Sequence, residues 1–294
     1  MSGKTVPVVA VLNMKGGVGK TTASAHVTRA LFSQFKAATT IIDFDPQFNL
    51  TQALFKRPAY DILKGAGKTI MAAMEPLPSS GLLEVRTTSA PPPAVDDISH
   101  TLWFYRQQPE IRLAVVPGDF SLSKYTLVDH GRKLKDVEGR FLNFICNAKK
   151  VNEYICIDCN PSSSFLTLCV LKAATHILVP VRADRYSVLG LELLYEFVES
   201  IPGLPHKPKF MVLLNDVVRN AAPTSVEVDL RAHSVFGSMT LGNRLYKSKL
   251  LSAQPDYTGF ASDKRGPYSS QVRSELGALA KEIGAKVGLK EGSH

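Results

Sequence analysis

The chain has 294 residues, 45% of them hydrophobic and 21% charged, with 35 Lys and Arg against 26 Asp and Glu for a net charge of +9 and a pI of about 9.3. These values exclude general disorder, and the length suffices to bury a large core without cross-links. Four cysteines, Cys146, Cys156, Cys159 and Cys169, are too few for a disulfide scaffold and point to a reducing compartment, while the basic surplus suits a polyanionic partner.

Residues 6–12 form a buried-strand run that Asn13-Met14-Lys15 ends too soon for a signal-peptide core. No stretch approaches the roughly 20 apolar residues of a spanning helix, so a cytoplasmic protein is expected. A glycine-rich loop follows, then a helical stretch over residues 21–35. Residues 39–43 read as a second strand. The stretch 76–109, rich in Pro, Ser and Thr, breaks the rhythm. It reads as a long excursion, either a solvated insertion or a partner-contact loop. Trp103, the only Trp, lies there beside Phe104 and Tyr105, an anchor for packing or for a partner. Further strands are predicted over 112–116, 154–158, 176–180 and 210–215, with helices over 165–174, 187–200 and 269–287. Near-continuous apolar strands alternating with helices predict an α/β fold: a single doubly wound, mostly parallel sheet of about seven strands flanked by helices. Ligands on such sheets sit at the C-terminal ends of the strands.

The run from Asn13 to Thr22 sits between a strand and a helix. Glycines there let the backbone turn its N–H groups toward phosphate oxygens, and the helix start adds its positive dipole end. Lys20 can reach the β- and γ-phosphates and the Thr21 hydroxyl can ligate Mg²⁺. A strict G-x-x-x-x-G-K-[ST] pattern fails at Met14. A plain glycine turn is the bland alternative, disfavoured by the Gly-Lys-Thr core in this context.

Met14-Lys15-Gly16-Gly17-Val18-Gly19-Lys20-Thr21-Thr22 closely resembles the deviant Walker A motif of the ParA/MinD family of ATPases, which often lacks the leading Gly. The resemblance implies that Lys15 crosses a dimer interface to the ATP of the other subunit, as an arginine finger would. Residues 41–51 look like the family's D-x-D-P-Q-x-N-x-T segment. By that resemblance Asp45 orients the attacking water and Asp43 supports the Mg²⁺ shell. Asp158 ends another strand in Walker B fashion and would hold Mg²⁺ through water; Asn160 departs from the family's D-x-P-P. Asn215 fits an Asn that contacts adenine in the family, and equally fits a polar strand end. The likeness covers roughly residues 6–55 and 111–290, favours the ParA branch, and implies one P-loop ATPase domain over 1–294 with a Pro-rich insertion at about 76–110.

What the resemblance implies is Mg²⁺-dependent ATP hydrolysis by an ATP-dependent homodimer. It would bind double-stranded DNA without sequence preference, and a ParB-like or cargo adaptor protein would stimulate it to segregate or position a cargo, giving a nucleoid-associated protein. From Arg231 onward ten Lys and Arg face five Asp and Glu. The candidate DNA contacts are Arg219, Arg244, Lys247, Lys249, Lys264, Arg265 and Arg273, with a merely solvated basic face as the alternative. A MinD-like membrane-cycling ATPase is the second reading: Leu276, Leu279, Ile283 and Val287 recur at helical spacing near Lys281, Lys286 and Lys290. Without large aromatics or a dense basic face, this stripe reads better as core, so no membrane partner is expected. Cys156 and Cys159 are formally C-x-x-C, but no second pair exists and zinc or redox use is not expected.

Overall fold

The computed structural model describes residues 5–78, 81–127, 131–160, 162, 164–254 and 257–290. Strand β1 (Val8–Val11) is entirely buried and leads through the glycine loop into helix α1 (Lys20–Phe35). Strand β2 (Thr39–Phe44) is followed by α2 (Asn49–Leu54), α3 (Arg57–Gly65) and the one-turn α4 (Met71–Met74). Next come a short α5 (Val95–Ile98), strands β3 (His100–Tyr105) and β4 (Gln108–Val116), and helices α6 (Lys124–Leu127) and α7 (Arg132–Val151). Strand β5 (Tyr154–Cys159), α8 (Phe165–Ala173), β6 (His176–Arg182), α9 (Arg185–Ser200) and β7 (Lys209–Val217) complete the regular alternation. The chain ends with α10 (Ser225–Ala232), α11 (Phe236–Met239), β8 (Leu245–Tyr246) and α12 (Ser269–Val287).

Among the described residues eight strands form one sheet in the order β3-β4-β2-β5-β1-β6-β7-β8, parallel except for the β3–β4 pair. Alternate residues of each strand feed opposite faces. Ile42 and Phe44 join the core under α7 and α8, whereas Val9, Val11 and Ile41 join the core under α1 and α12. Burial on both faces is why these strands read as unbroken apolar runs. The α1–α12 approach is close: a Cβ on Gly284 would stand 2.2 Å from the Phe35 ring. Leu276, Leu279, Ile283 and Val287 are all buried in that core, which is where the apolar stripe of α12 goes.

Two expectations need correction. Among the described residues the sheet has eight strands where about seven are expected, because β3 and the two-residue β8 add an edge at each end. The 76–109 stretch is also more than an excursion. Val85, Val95 and Ile98 are buried in the core, and β3 pairs antiparallel with β4. The Pro-, Ser- and Thr-rich residues before it mask an edge strand, His100–Tyr105, that has no buried residue to mark it as core. Helix α7 lies where the sequence reading assigns no element. Residues 79 and 80 of the Pro-rich stretch, and Asp256 and Glu291 among the five acidic residues beyond Arg231, lie outside the described ones.

Candidate functional site

The loop after β1 is built by Asn13. Its side-chain amide donates to Pro180 O of β6 at 2.9 Å, and its Oδ1 accepts from the Lys15 N–H at 2.8 Å. Met14, in place of the strict motif's first Gly, packs half-buried on the core. Gly17 and Gly19 have φ of 74° and 91°, left-handed backbone that glycine adopts without strain. Gly19 has a second reason to lack a side chain, since its Cβ would stand 2.1 Å from Asn215 Nδ2. Asn215 is buried at the end of β7 and donates its amide to Val18 O at 2.7 Å. Through that bond it braces the loop from behind, and its side chain also lines the smaller cleft beside Gly17 and Gly19.

Parallel pairing brings the carboxylates together. Asp43 of β2 and Asp158 of β5 are register partners on adjacent strands. Asp158 accepts from the Thr21 hydroxyl at 2.9 Å and the Ser24 hydroxyl at 2.7 Å. Asp43 accepts from the Thr51 N–H at 2.8 Å and its hydroxyl at 2.6 Å. Burial, and then the charge of Asp158, pushes the Asp43 carboxyl up to about 8; burial pushes Asp158 up to about 6 against its two hydroxyl donors. Asp45 is also raised by burial, and its Oδ1 accepts from the Gln47 N–H at 2.8 Å. Thr51 closes the D-x-D-P-Q-x-N-x-T segment, where the sequence reading gives it no role of its own, and Ser24 lies outside every motif read from sequence. Ser24 lies one helical turn beyond Thr21, a spacing that could have signalled it.

The two lysines of the loop part company. Lys20 is 8% exposed, its amine donates to Lys15 O at 3.3 Å, and burial lowers its pKa while Asp158 and Asp45 oppose that. Lys15 is exposed, with its amine 5.8 Å from the Tyr186 ring centre at the start of α9. Gly190 admits this arrangement, because a Cβ there would meet Asn13 Oδ1 at 2.5 Å and Lys15 Cβ at 2.9 Å.

In front of the loop opens a cleft of about 580 Å³, lined by Gly16, Gly17, Gly19, Lys20, Thr21 and Thr22 on one side. Asp45, Gln47, His26, Gln254 and Thr258 line the others, a size suited to a small-molecule ligand. A smaller cleft of about 200 Å³ adjoins Gly17 and Gly19 and includes Asn215, Tyr246 and Lys247. A buried cation beside strand-end carboxylates held by hydroxyls, under a cradle of left-handed glycines, fits a nucleotide phosphate chain with a divalent metal.

The basic residues do not form one free patch. Arg219 pairs with Glu275 at 2.6 Å, and Arg244 pairs with Glu227 at 2.6 Å. Lys264 donates to Leu250 O at 2.9 Å, and Arg273 reaches Ser262 O and Lys264 O at 3.5 and 3.4 Å. Lys247, Lys249 and Arg265 are exposed, and among the described residues none pairs with a carboxylate. The Cys156 and Cys159 thiols are free and buried, and burial pushes Cys156 up to about 12. Among the described residues no helix is long and apolar enough to cross a membrane.

A strand, a glycine loop and a helix N-terminus, flanked by strand-end carboxylates, define a P-loop nucleotide-binding site. Residues 6–209 match the family model described as an AAA domain. A ParA family protein of Chlamydia trachomatis is 32% identical over 198 residues, spanning 66% of this chain and 65% of the relative. The chain thus matches just under two-thirds of that relative's length. The chromosome-partitioning ATPase Soj of Treponema pallidum is 27% identical over 98% of this chain and all of its own length. Among solved structures, pNOB8 ParA superimposes with a TM-score of 0.67 at 18% identity, covering 97% of this chain and 99% of that one. Cobyrinic acid a,c-diamide synthase of Mycobacterium smegmatis, with a bound ATP analogue and magnesium, gives 0.65 at 19%, covering 98% and 99%. The chain belongs to the ParA family of P-loop ATPases.

Proposed function

We propose that this chain is a partition-type ATPase that uses ATP as a timer for pairing and for holding DNA. The observation that carries the reading is the separation of the two loop lysines. Lys20 is committed to its own cleft, whereas Lys15 stands exposed at the rim beside Tyr186, available to the triphosphate of a second copy. In this reading ATP lies along Gly16, Gly17, Val18 and Gly19, with Lys20 on the β- and γ-phosphates and Thr22 behind them. Mg²⁺, held by the Thr21 hydroxyl with Asp158 and Asp43 behind it, would draw negative charge off the phosphates. Asp45 orients the attacking water, and Lys15 from the partner copy offsets charge on the transferring phosphoryl group. Asn215 serves the site by fixing Val18.

The paired state then holds duplex DNA without sequence preference through Lys247, Lys249, Arg265 and their basic neighbours, and a stimulating adaptor protein triggers hydrolysis and release. Support comes from the family, from the naming of Soj as a chromosome-partitioning ATPase and from pNOB8 ParA having been solved on nonspecific DNA. The consequence is a nucleoid-associated protein that segregates or spaces a cargo. The membrane-cycling reading loses its anchor, since the apolar stripe of α12 is buried against α1. Duplex DNA binding measured with ATP, with ADP and without nucleotide tests the proposal. Binding with ATP alone, weakening steeply as salt rises, supports it; equal binding in all three conditions contradicts it.

A further inference from the structure

Helix α1 carries two buried polar side chains, His26 and Arg29, that reach the chain between β8 and α12. His26 accepts from the Ala261 N–H through Nδ1 at 3.2 Å, and its Nε2 stands 3.4 Å from Leu251 O. One turn on, Arg29 pairs with Asp263 at 3.0 Å and donates to Ser33. Its Nε is buried without a hydrogen-bond partner among the described residues. The guanidinium instead lies against aromatic faces, 4.5 Å from the Trp103 ring centre and 5.6 Å from that of Phe32.

Both side chains grip the residues of the outer cleft wall: they hold Leu251, Ala261 and Asp263, while Leu251, Gln254, Thr258 and Gly259 line the cleft. The same wall is tied to α2, because the N–H groups of Thr258 and Gly259 both donate to Ala53 O, at 3.0 and 2.9 Å. Trp103 is remote from the phosphate loop in sequence, belongs to the insertion, and is 42% exposed on the edge strand β3. Nothing in phosphate chemistry calls for it. Its indole nevertheless covers the cation that links α1 to the cleft wall.

We propose that Arg29 is a positioning residue for the nucleotide and that Trp103 sets its pose, so that the β3–β4 hairpin and the nucleotide cleft are coupled through Asp263 and the wall residues Leu251, Thr258 and Gly259. The inference rests on the cleft being the nucleotide site. A cation over an indole face is held electrostatically, more strongly when partly desolvated, and loosening it frees the Asp263 end of the wall. Coupling is reciprocal: a nucleotide that orders the wall must alter the surroundings of Trp103, the single Trp of the chain.

Titrating the full chain with ATP and Mg²⁺, by calorimetry and by Trp emission in parallel, tests this. The expected result is an emission change with the calorimetric midpoint. Trp103→Leu should weaken ATP binding by ~3- to 10-fold, and Trp103→Phe, which keeps a π face, should recover most of it. Both variants replace a half-exposed side chain, and an unchanged melting temperature checks that they fold. Binding heat with unmoved emission, or wild-type affinity in Trp103→Leu, would overturn the coupling alone. Absence of binding heat would overturn it together with the nucleotide reading.

Discussion

The amine of Lys15 stands 5.8 Å from the centre of the Tyr186 ring, outside the cleft that encloses Lys20 only five residues on. Such a contact at an exposed site is worth roughly 0.5–1 kcal/mol, little enough to be given up when a stronger anion arrives. The two lysines should therefore fail differently. Lys20→Ala is expected to weaken ATP binding by at least ~10-fold, because it removes the buried cation of the site. Lys15→Ala should leave the affinity of a single copy within about twofold. Calorimetric titration at protein concentrations too low for pairing distinguishes them.

Asp43 and Asp45, two residues apart, are predicted to separate stability from turnover. Asp43→Ala leaves the buried Thr51 N–H and hydroxyl without their acceptor, at a cost of about 1–3 kcal/mol. Asp45→Ala breaks one hydrogen bond to Gln47 at the cleft edge and should keep the fold and ATP binding. Hydrolysis should fall by ~10²- to 10⁴-fold if Asp45 orients the water. Chemical denaturation and phosphate release on both variants check the division.

Burial holds the His26 imidazole down at about 4, so the native chain keeps it neutral where an unfolded chain would protonate it. Its contribution to stability is complete above the ordinary value of 6.5 and is lost as pH falls from there toward 4. The full span amounts to on the order of 3 kcal/mol. His176, also lowered by burial to about 4, works in the same direction, whereas Asp43, raised to about 8, works in the opposite one. The His26 share is therefore isolated by difference. Whatever stability separates wild type from His26→Gln at pH 7 should change by about that amount by pH 4, to the disadvantage of the wild type. Urea denaturation of both proteins at each pH measures it, and a constant difference would contradict the assignment.

Among the basic residues, the ion pairs sort the roles. Arg244→Ala strips Glu227 of one of its two arginine partners, the other being Arg231, and is expected to lower stability more than DNA affinity. Charge reversal at Lys249 and Arg265, which are exposed, should lower DNA affinity several-fold and flatten its salt dependence. Fluorescence anisotropy with duplex DNA across a salt series, beside melting curves, tests both.

How much of this was legible follows from how local each feature is. The glycine loop, its flanking strand and helix, and the acidic strand ends are contiguous runs, and they were readable. The joining of Asp43 to Asp158 depends on β2 and β5 lying side by side in register, 115 residues apart in sequence, and resemblance alone suggested it. The edge strand β3 carries no clear alternation, because four of its six residues are exposed and none is buried. The freedom of the individual DNA candidates is hidden for a related reason: counting cations along the chain cannot show that Glu275 and Glu227 fold back onto Arg219 and Arg244. The Arg29–Asp263 pair spans most of the protein and left no local signal.

The proposed ATP-dependent pairing depends above all on Lys15 completing another copy's site. Light scattering coupled to size exclusion, on Asp45→Ala to slow turnover, measures this directly with and without ATP and Mg²⁺. The predicted result is a single chain of 32.1 kDa without nucleotide and twice that mass with ATP. The added Lys15→Ala change should hold the protein at the single mass while it still binds ATP. Doubling that persists in Lys15→Ala, or that needs no ATP, would contradict the account.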